Sequence, residues 1–233
     1  MGPASSTSCL MTCRTRLSSS VTMGHGPVES LRNRSGIMAC DTARRRHMQH
    51  TQYISTRGQM APAGFMDVLL AGLAPDGGLA VPERLPALTP EQLETWRSLN
   101  YAELATEVIG LFATDIPRED LAALTRAAYG ESRFPQPVVP VTGLDDVANG
   151  LVLVGLSEGP TMAFKDLAMQ FLGQAIPYVL AKQGKVLNIL GATSGDTGSA
   201  AEHAFRGQEG VSVFMLSPAG RMSPVQRAQM YTL

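Results

Sequence analysis

Cysteine is absent beyond residue 40, lysine occurs only three times, and no apolar run is long enough to span a membrane. Each lack excludes something. Cys9, Cys13 and Cys40 all lie in the first 47 residues, so no disulfide can staple the remainder, as suits a reducing compartment and a cytoplasmic location. The longest apolar stretch, residues 167–181, is interrupted by Gln170, Gln174 and Pro177 and is shorter than the roughly 20 residues a bilayer requires. Net charge is also lacking. With 19 basic and 20 acidic side chains the balance is −1, which gives no electrostatic reason to expect nucleic acid or an anionic membrane as partner. The signatures of P-loop, dinucleotide-binding, hydrolase-elbow and H-E-x-x-H zinc sites do not occur either.

What is present is a foldable chain of 233 residues, 44% hydrophobic and 17% charged. Its two parts differ. Residues 1–47 hold seven arginines, two acids and no lysine, a balance of +5, whereas residues 48–233 carry −6. The first segment is rich in Ser, Thr, Arg and Met without helical or strand periodicity, so no packed core is expected there. Three readings stand side by side. The segment is an organellar transit peptide, which would change the location; or a zinc site built on Cys9, Cys13 and His25; or extraneous sequence ahead of a start at Met48. Zinc has the least support, since no second close pair of ligands completes a site.

From Tyr53 the pattern becomes regular. YIST (53–56) reads as a short strand, and Phe65, Val68, Leu69, Leu70 and Leu73 form a helical stripe closed by Pro75-Asp76-Gly77-Gly78. Pro82 and Pro86 mark irregular chain. Further helices are expected from Thr89 or Pro90 to Arg97, over 101–112, and over 118–129 ahead of Gly130. This predicts a small, mostly helical N-terminal domain over residues 48–135. Beyond it, LVLVGL (151–156), VLNIL (186–190) and VSVFML (211–216) read as buried strands. Helices are expected over 164–182, with a bend at Pro177, over 200–206, and over 225–231. Strand-helix-strand-helix-strand is the βαβ pattern of an α/β domain over 136–233, with parallel strands and ligands at their carboxyl ends. The chain ends after its third β-α step, which suggests part of a longer protein.

Three places can carry chemistry. Lys165 follows a strand and a Gly-Pro-Thr loop and opens a long apolar helix. An amine there can form a Schiff base with an aldehyde cofactor if Phe164 and Met162 help to desolvate it; the alternative is a surface lysine opposing the helix dipole. In that helix Asp166 would not face Lys165. Lys182 and Lys185 flank a Gln-Gly turn and read as solvated. GATSGDTG (191–198) combines three glycines with the hydroxyls of Thr193, Ser194 and Thr197 ahead of a helix, an anion-binding arrangement or an ordinary capped turn. Arg221 and Ser223, after the third strand, could contact an anion, or be a surface charge and an N-cap. His203, within a helix, reads as solvated or packed.

Taken together, EGPTMAFKDL (158–167), GATSGDTG (191–198) and SPAGRMSPVQ (217–226) resemble the bacterial-type threonine synthases, with YISTRG (53–58) and DGGLAVPERLP (76–86) similar to that family's N-terminal region. The resemblance implies a pyridoxal-phosphate enzyme of fold type II, like the tryptophan synthase β subunit, converting O-phospho-L-homoserine and water to L-threonine and phosphate. By that similarity Lys165 holds the cofactor and then moves protons among the substrate's Cα, Cβ and Cγ. The segment from Thr193 and Ser194 through Gly195, Asp196 and Thr197 to Gly198 is similar to the loop near the substrate carboxylate, with Asp196 near the cofactor's 3-oxygen. Arg221 and Ser223 would face the substrate phosphate. The family is considerably longer, so the residues expected to bind the cofactor phosphate and pyridine nitrogen are missing, and the chain is expected to be a fragment. Two other readings stay open. One is another fold-type II lyase, against which the Phe164-Lys165-Asp166 and Ser194-Gly195-Asp196 pairings argue. The other is a non-catalytic fragment that binds a phosphorylated small molecule or a protein partner.

Overall fold

The computed structural model describes residues 50–232. The readings made for residues 1–47, including the Cys9, Cys13 and His25 zinc site, and the start at Met48 lie outside the described residues.

Strand β1 (Tyr53–Ser55) pairs antiparallel with β2 (Ala80–Pro82), with Ile54 opposite Val81. Residues 80–82, expected to be irregular, form a strand because Pro82 sits at its last position, where a missing donor costs little. Between the strands runs α1 (Phe65–Ala71), and α2 (Pro90–Trp96), α3 (Tyr101–Gly110) and α4 (Arg118–Tyr129) follow. Thr89 with Gln92, and Asn100 with Glu103, form reciprocal capping boxes that start α2 and α3. Helix α1 has Gly64 at its N-cap, which has no side chain to cap it. Asp115, 49 residues from Met66 in sequence, accepts the Met66 N–H at 2.9 Å and does that job through space. Thr106 and Thr125 join α3 to α4 through hydroxyls 2.7 Å apart in a buried setting.

The core is formed by Leu121, Ala128, Phe134 and Val138 together with Phe171 and Ala175 of α5 (Lys165–Gln183). The Tyr129 hydroxyl donates to the Leu167 carbonyl at 2.9 Å, which fixes α4 against the first turn of α5. Burial pushes that phenol's pKa well up, so it stays a donor.

The LVLVGL segment departs from expectation. Its central residues form β4 (Val152–Val154), paired antiparallel with β3 (Val141–Gly143), and all three are exposed. A short apolar run fits a hairpin arm as well as a buried strand. Here the turn decides, through Leu144 N–H to the Leu151 carbonyl at 2.8 Å and Gly150 N–H to Asp145 Oδ1 at 2.8 Å. Among the described residues the parallel sheet therefore has two strands, not three. These are β5 (Leu187–Ala192) and β6 (Val211–Leu216), in register from Leu187 opposite Val211 to Ala192 opposite Leu216, with α6 (Asp196–Phe205) between them in sequence. Leu187, Ile189, Val211, Val213 and Met215 face the second core, beside Ile176, Leu180, Ala201 and Phe205. Their neighbours Leu190, Phe214 and Leu216 are exposed on the other face. Helix α7 (Pro224–Tyr231) follows.

Pro177 does not end α5, which continues to Gln183 and closes at Gly184 in the left-handed conformation. Without a proline N–H, the Gly173 carbonyl loses its intrahelical donor. Gly173 is also a point of close approach by α6. A Cβ there would lie 2.5 Å from the Ala204 carbonyl oxygen, which is backbone and cannot swing away. Below this contact Gln170, fully buried, has its amide nitrogen 3.4 Å from Nδ1 of His203. Burial, aided by the positive charges of Arg133 and Arg206 and opposed by Asp166, lowers the His203 pKa.

Two outcomes follow. Gly173→Ala should lower the urea midpoint by the equivalent of about 1–3 kcal/mol, although alanine is ordinarily the better helix former. A midpoint that rises would contradict the close approach. His203 in the folded chain has its pKa held below that of the unfolded chain, which binds a proton near the ordinary value of 6.5. Its contribution is thus complete above that pH and declines as pH falls from there toward the lowered native value. Denaturant midpoints should fall more between pH 7.5 and 5.5 for the wild type than for His203→Gln.

Candidate active site

The site is built from three loops. The first leads into α5. Asp166 is fully buried, and both its carboxyl oxygens accept from one residue: Oδ2 from the Thr161 N–H and Oδ1 from the Thr161 hydroxyl, each at 2.8 Å. Gly159 is required beside it, because a Cβ there would lie 2.4 Å from the Asp166 Cβ. The Met162 N–H donates to the Gly159 carbonyl at 3.0 Å, and Met162 itself is left-handed, with φ of 56°. That conformation is uncommon for a residue other than glycine and marks a turn held by its surroundings. Lys165 and Asp166 therefore diverge, as adjacent positions at a helix start must. Asp166 anchors inward, and Lys165 is left half-buried with its Nζ 4.5 Å from the centre of the Phe164 ring. Among the described residues no carboxylate pairs with Lys165.

Desolvation of that amine is less than expected, since Met162 is 68% and Phe164 57% exposed. The flank of Phe164 gives a cation–π contact but no enclosed pocket. The other lysines are engaged. Lys182 reaches Asp120 at 3.2 Å and lies over Tyr178, and hydrogen bonds with Tyr178 and Asp120 raise its pKa. Lys185 donates to Gln183 at 2.7 Å. An uncommitted amine is the form an aldehyde needs, and on that ground Lys165 is the best-suited of the three.

The second loop joins β5 to α6. The Thr193 Oγ1 accepts the Gly195 N–H at 3.2 Å, and Ser194, Asp196 and Thr197 are exposed. The helix starts at Asp196, four residues before the predicted position, and its N-cap is Gly195, with no side chain closing the end. No side chain caps the first N–H groups of α6, a condition that anion binding at a helix start needs. Gly198 is buried, and a Cβ there would lie 2.3 Å from the Thr193 methyl.

The third loop follows β6. Ser223 caps α7, accepting the Gln226 N–H at 3.2 Å, while Gln226 Oε1 accepts the Ser223 N–H at 3.2 Å. The Arg221 side chain is exposed, and its N–H closes a turn onto Pro218. Helix α7 touches both other loops. Gln229 Nε2 donates to the Thr161 carbonyl at 2.8 Å, and Gln226 Nε2 donates to Asp196 Oδ1 at 3.4 Å. The lysine turn and the glycine-rich turn therefore lie against one helix, at one end of the domain. Sequence reasoning missed Gln226 and Gln229. The Ser-Pro-x-Gln spacing announces the cap but not the contacts of the glutamine amides. It also missed the anchoring role of Asp166.

Comparison with known proteins finds similarity to threonine synthases. The family described as "Threonine synthase N terminus" matches residues 52–129. The threonine synthase of Corynebacterium glutamicum is 55% identical over 187 residues, which cover 78% of this chain and 38% of that protein. The threonine synthase of Methylobacillus glycogenes is 49% identical over 187 residues, covering 78% of this chain and 39% of that protein. The crystal structure of PLP-bound threonine synthase from Brucella melitensis superposes with a TM-score of 0.72 at 44% identity, over 77% of this chain and 38% of that one. The chain spans less than two-fifths of the length of these relatives. Its fold is that of the corresponding part of these threonine synthases, which are fold-type II pyridoxal-phosphate enzymes, and the chain is similar to them over more than three-quarters of its length.

Proposed function

We propose that the protein of which this chain forms part is a threonine synthase, converting O-phospho-L-homoserine and water to L-threonine and phosphate with pyridoxal phosphate as cofactor. The observation that carries this is the state of Lys165. It heads α5 on a turn anchored by Asp166, with no carboxylate partner among the described residues, while Lys182 and Lys185 are engaged. Bound pyridoxal phosphate supplies the electron sink that makes protons beside the substrate amine removable. Lys165 would hold the cofactor through its amine and would serve as base and acid toward the substrate's Cα, Cβ and Cγ. The open N–H groups at the start of α6 and the hydroxyls of Thr193, Ser194 and Thr197 take the substrate carboxylate, with Gly195 and Gly198 keeping that loop low. Asp196 would contact the cofactor on the side of its 3-oxygen. Arg221, exposed after β6, attracts the substrate phosphate, with Ser223 beside it.

In this reading residues 1–47 are a leader, 48–135 the N-terminal domain and 136–233 the first part of the cofactor domain. The enzyme acts on a small molecule in the cytoplasm, or in an organelle if the leader is a transit peptide. Among the described residues no helix is long and apolar enough to cross a membrane. A second reading has one observation in its favour. The exposure of Met162 and Phe164 leaves the Lys165 amine without an enclosed pocket, as in a chain that binds a phosphorylated small molecule and does no chemistry.

Reductive trapping separates the two. With pyridoxal phosphate and borohydride, the label should fall on Lys165 and largely spare Lys182 and Lys185, as mapped by mass spectrometry. Equal labelling of the three, or none, would contradict the proposal. Tight phosphohomoserine binding without a label would favour the second reading.

A further inference from the structure

Helix α7 carries two polar contacts that the proposed chemistry does not use. Thr161 spends its N–H and its hydroxyl on Asp166, and its carbonyl accepts from Gln229 of α7. Gln226, three residues earlier, has an amide committed at both ends. Its oxygen accepts the Ser223 N–H in the cap, which turns its nitrogen toward Asp196. Residues three apart lie on one helical face. Met230 completes the seat, since a Cβ on Gly198 would lie 3.0 Å from the Met230 methyl.

We propose that Gln229 is a positioning residue for Lys165, holding the turn at residues 159–162 by its Thr161 carbonyl so that Asp166 stays seated and the lysine amine keeps its direction. Gln226 serves the glycine-rich turn in the same way through Asp196. The inference rests on the reading of Lys165 as the cofactor-holding lysine. Its physical basis is that Asp166 is buried and takes both its hydrogen bonds from Thr161. Movement of Thr161 would strip the carboxyl group of both donors, and the first turn of α5 would have to follow. The Gln229 bond runs from α7, 68 residues away in sequence, so it ties the turn to a separate element.

The test uses the purified chain with two readouts, amide hydrogen exchange without cofactor and borohydride trapping with pyridoxal phosphate. Gln229→Met keeps the volume and removes the donor. It should speed exchange over residues 159–163 about threefold to tenfold, the factor carried by one hydrogen bond of ordinary net worth, and leave α3 and α4 unchanged. It should lower Lys165 labelling by a similar factor, with Lys182 and Lys185 unaffected. Gln229→Arg, which restores a donor, should recover both, and Gln226→Met should loosen residues 194–198 instead. Unchanged exchange in Gln229→Met, exchange that rises throughout the chain, or faster exchange with undiminished Lys165 labelling would each overturn the proposal. If the wild type is not labelled at Lys165, the cofactor reading fails. Local exchange in Gln229→Met then still decides whether the tether exists.

Discussion

The buried carboxyl group of Asp166 is the constraint on which the site depends. A carboxyl group removed from water must find donors, and both come from Thr161, five residues earlier. That demand closes the chain into a turn tight enough to exclude a side chain at Gly159 and to leave Met162 left-handed. It also sets the phase of α5. With Asp166 inward, Lys165 must project elsewhere, and the apolar positions Phe171, Ala175 and Val179 continue the inward face. The helix that carries the lysine is the same one that joins the two hydrophobic clusters, so the amine stands on a well-packed base.

The legible part of the chain is the part governed by local rules. The α3 and α4 segments show helical periodicity, and Thr89 and Ser223 announce their caps by type and spacing. Lys165 and the 191–198 turn stand out for their positions after strands. What is not legible depends on contacts across the chain. Nothing near Gly64 shows that Asp115 will cap α1, and nothing near Gln229 shows that it will reach Thr161. The β4 segment misleads because an apolar run of that length fits both a sheet interior and a hairpin arm, and the choice lies in the turn between Leu144 and Leu151.

The sheet shows how the fold relates to its relatives. Parallel strands usually have both faces covered. β5 and β6 pack one face on α5 and α6 and leave Leu190, Phe214 and Leu216 exposed on the other. The relatives the chain matches are more than twice its length. The organisation around Lys165, in contrast, is internal to the described residues: its turn, its anchor and the helix that abuts both loops are all present.

The most direct test of the Asp166 constraint is the exchange rate of the Thr161 amide proton in the wild-type chain. A hydrogen bond to a buried carboxyl group predicts protection comparable to that of amides in the middle of α5, well above that of the exposed residues of the glycine-rich loop. A Thr161 amide exchanging as freely as those loop amides would mean that Asp166 does not hold the turn, and that something else sets the direction of Lys165.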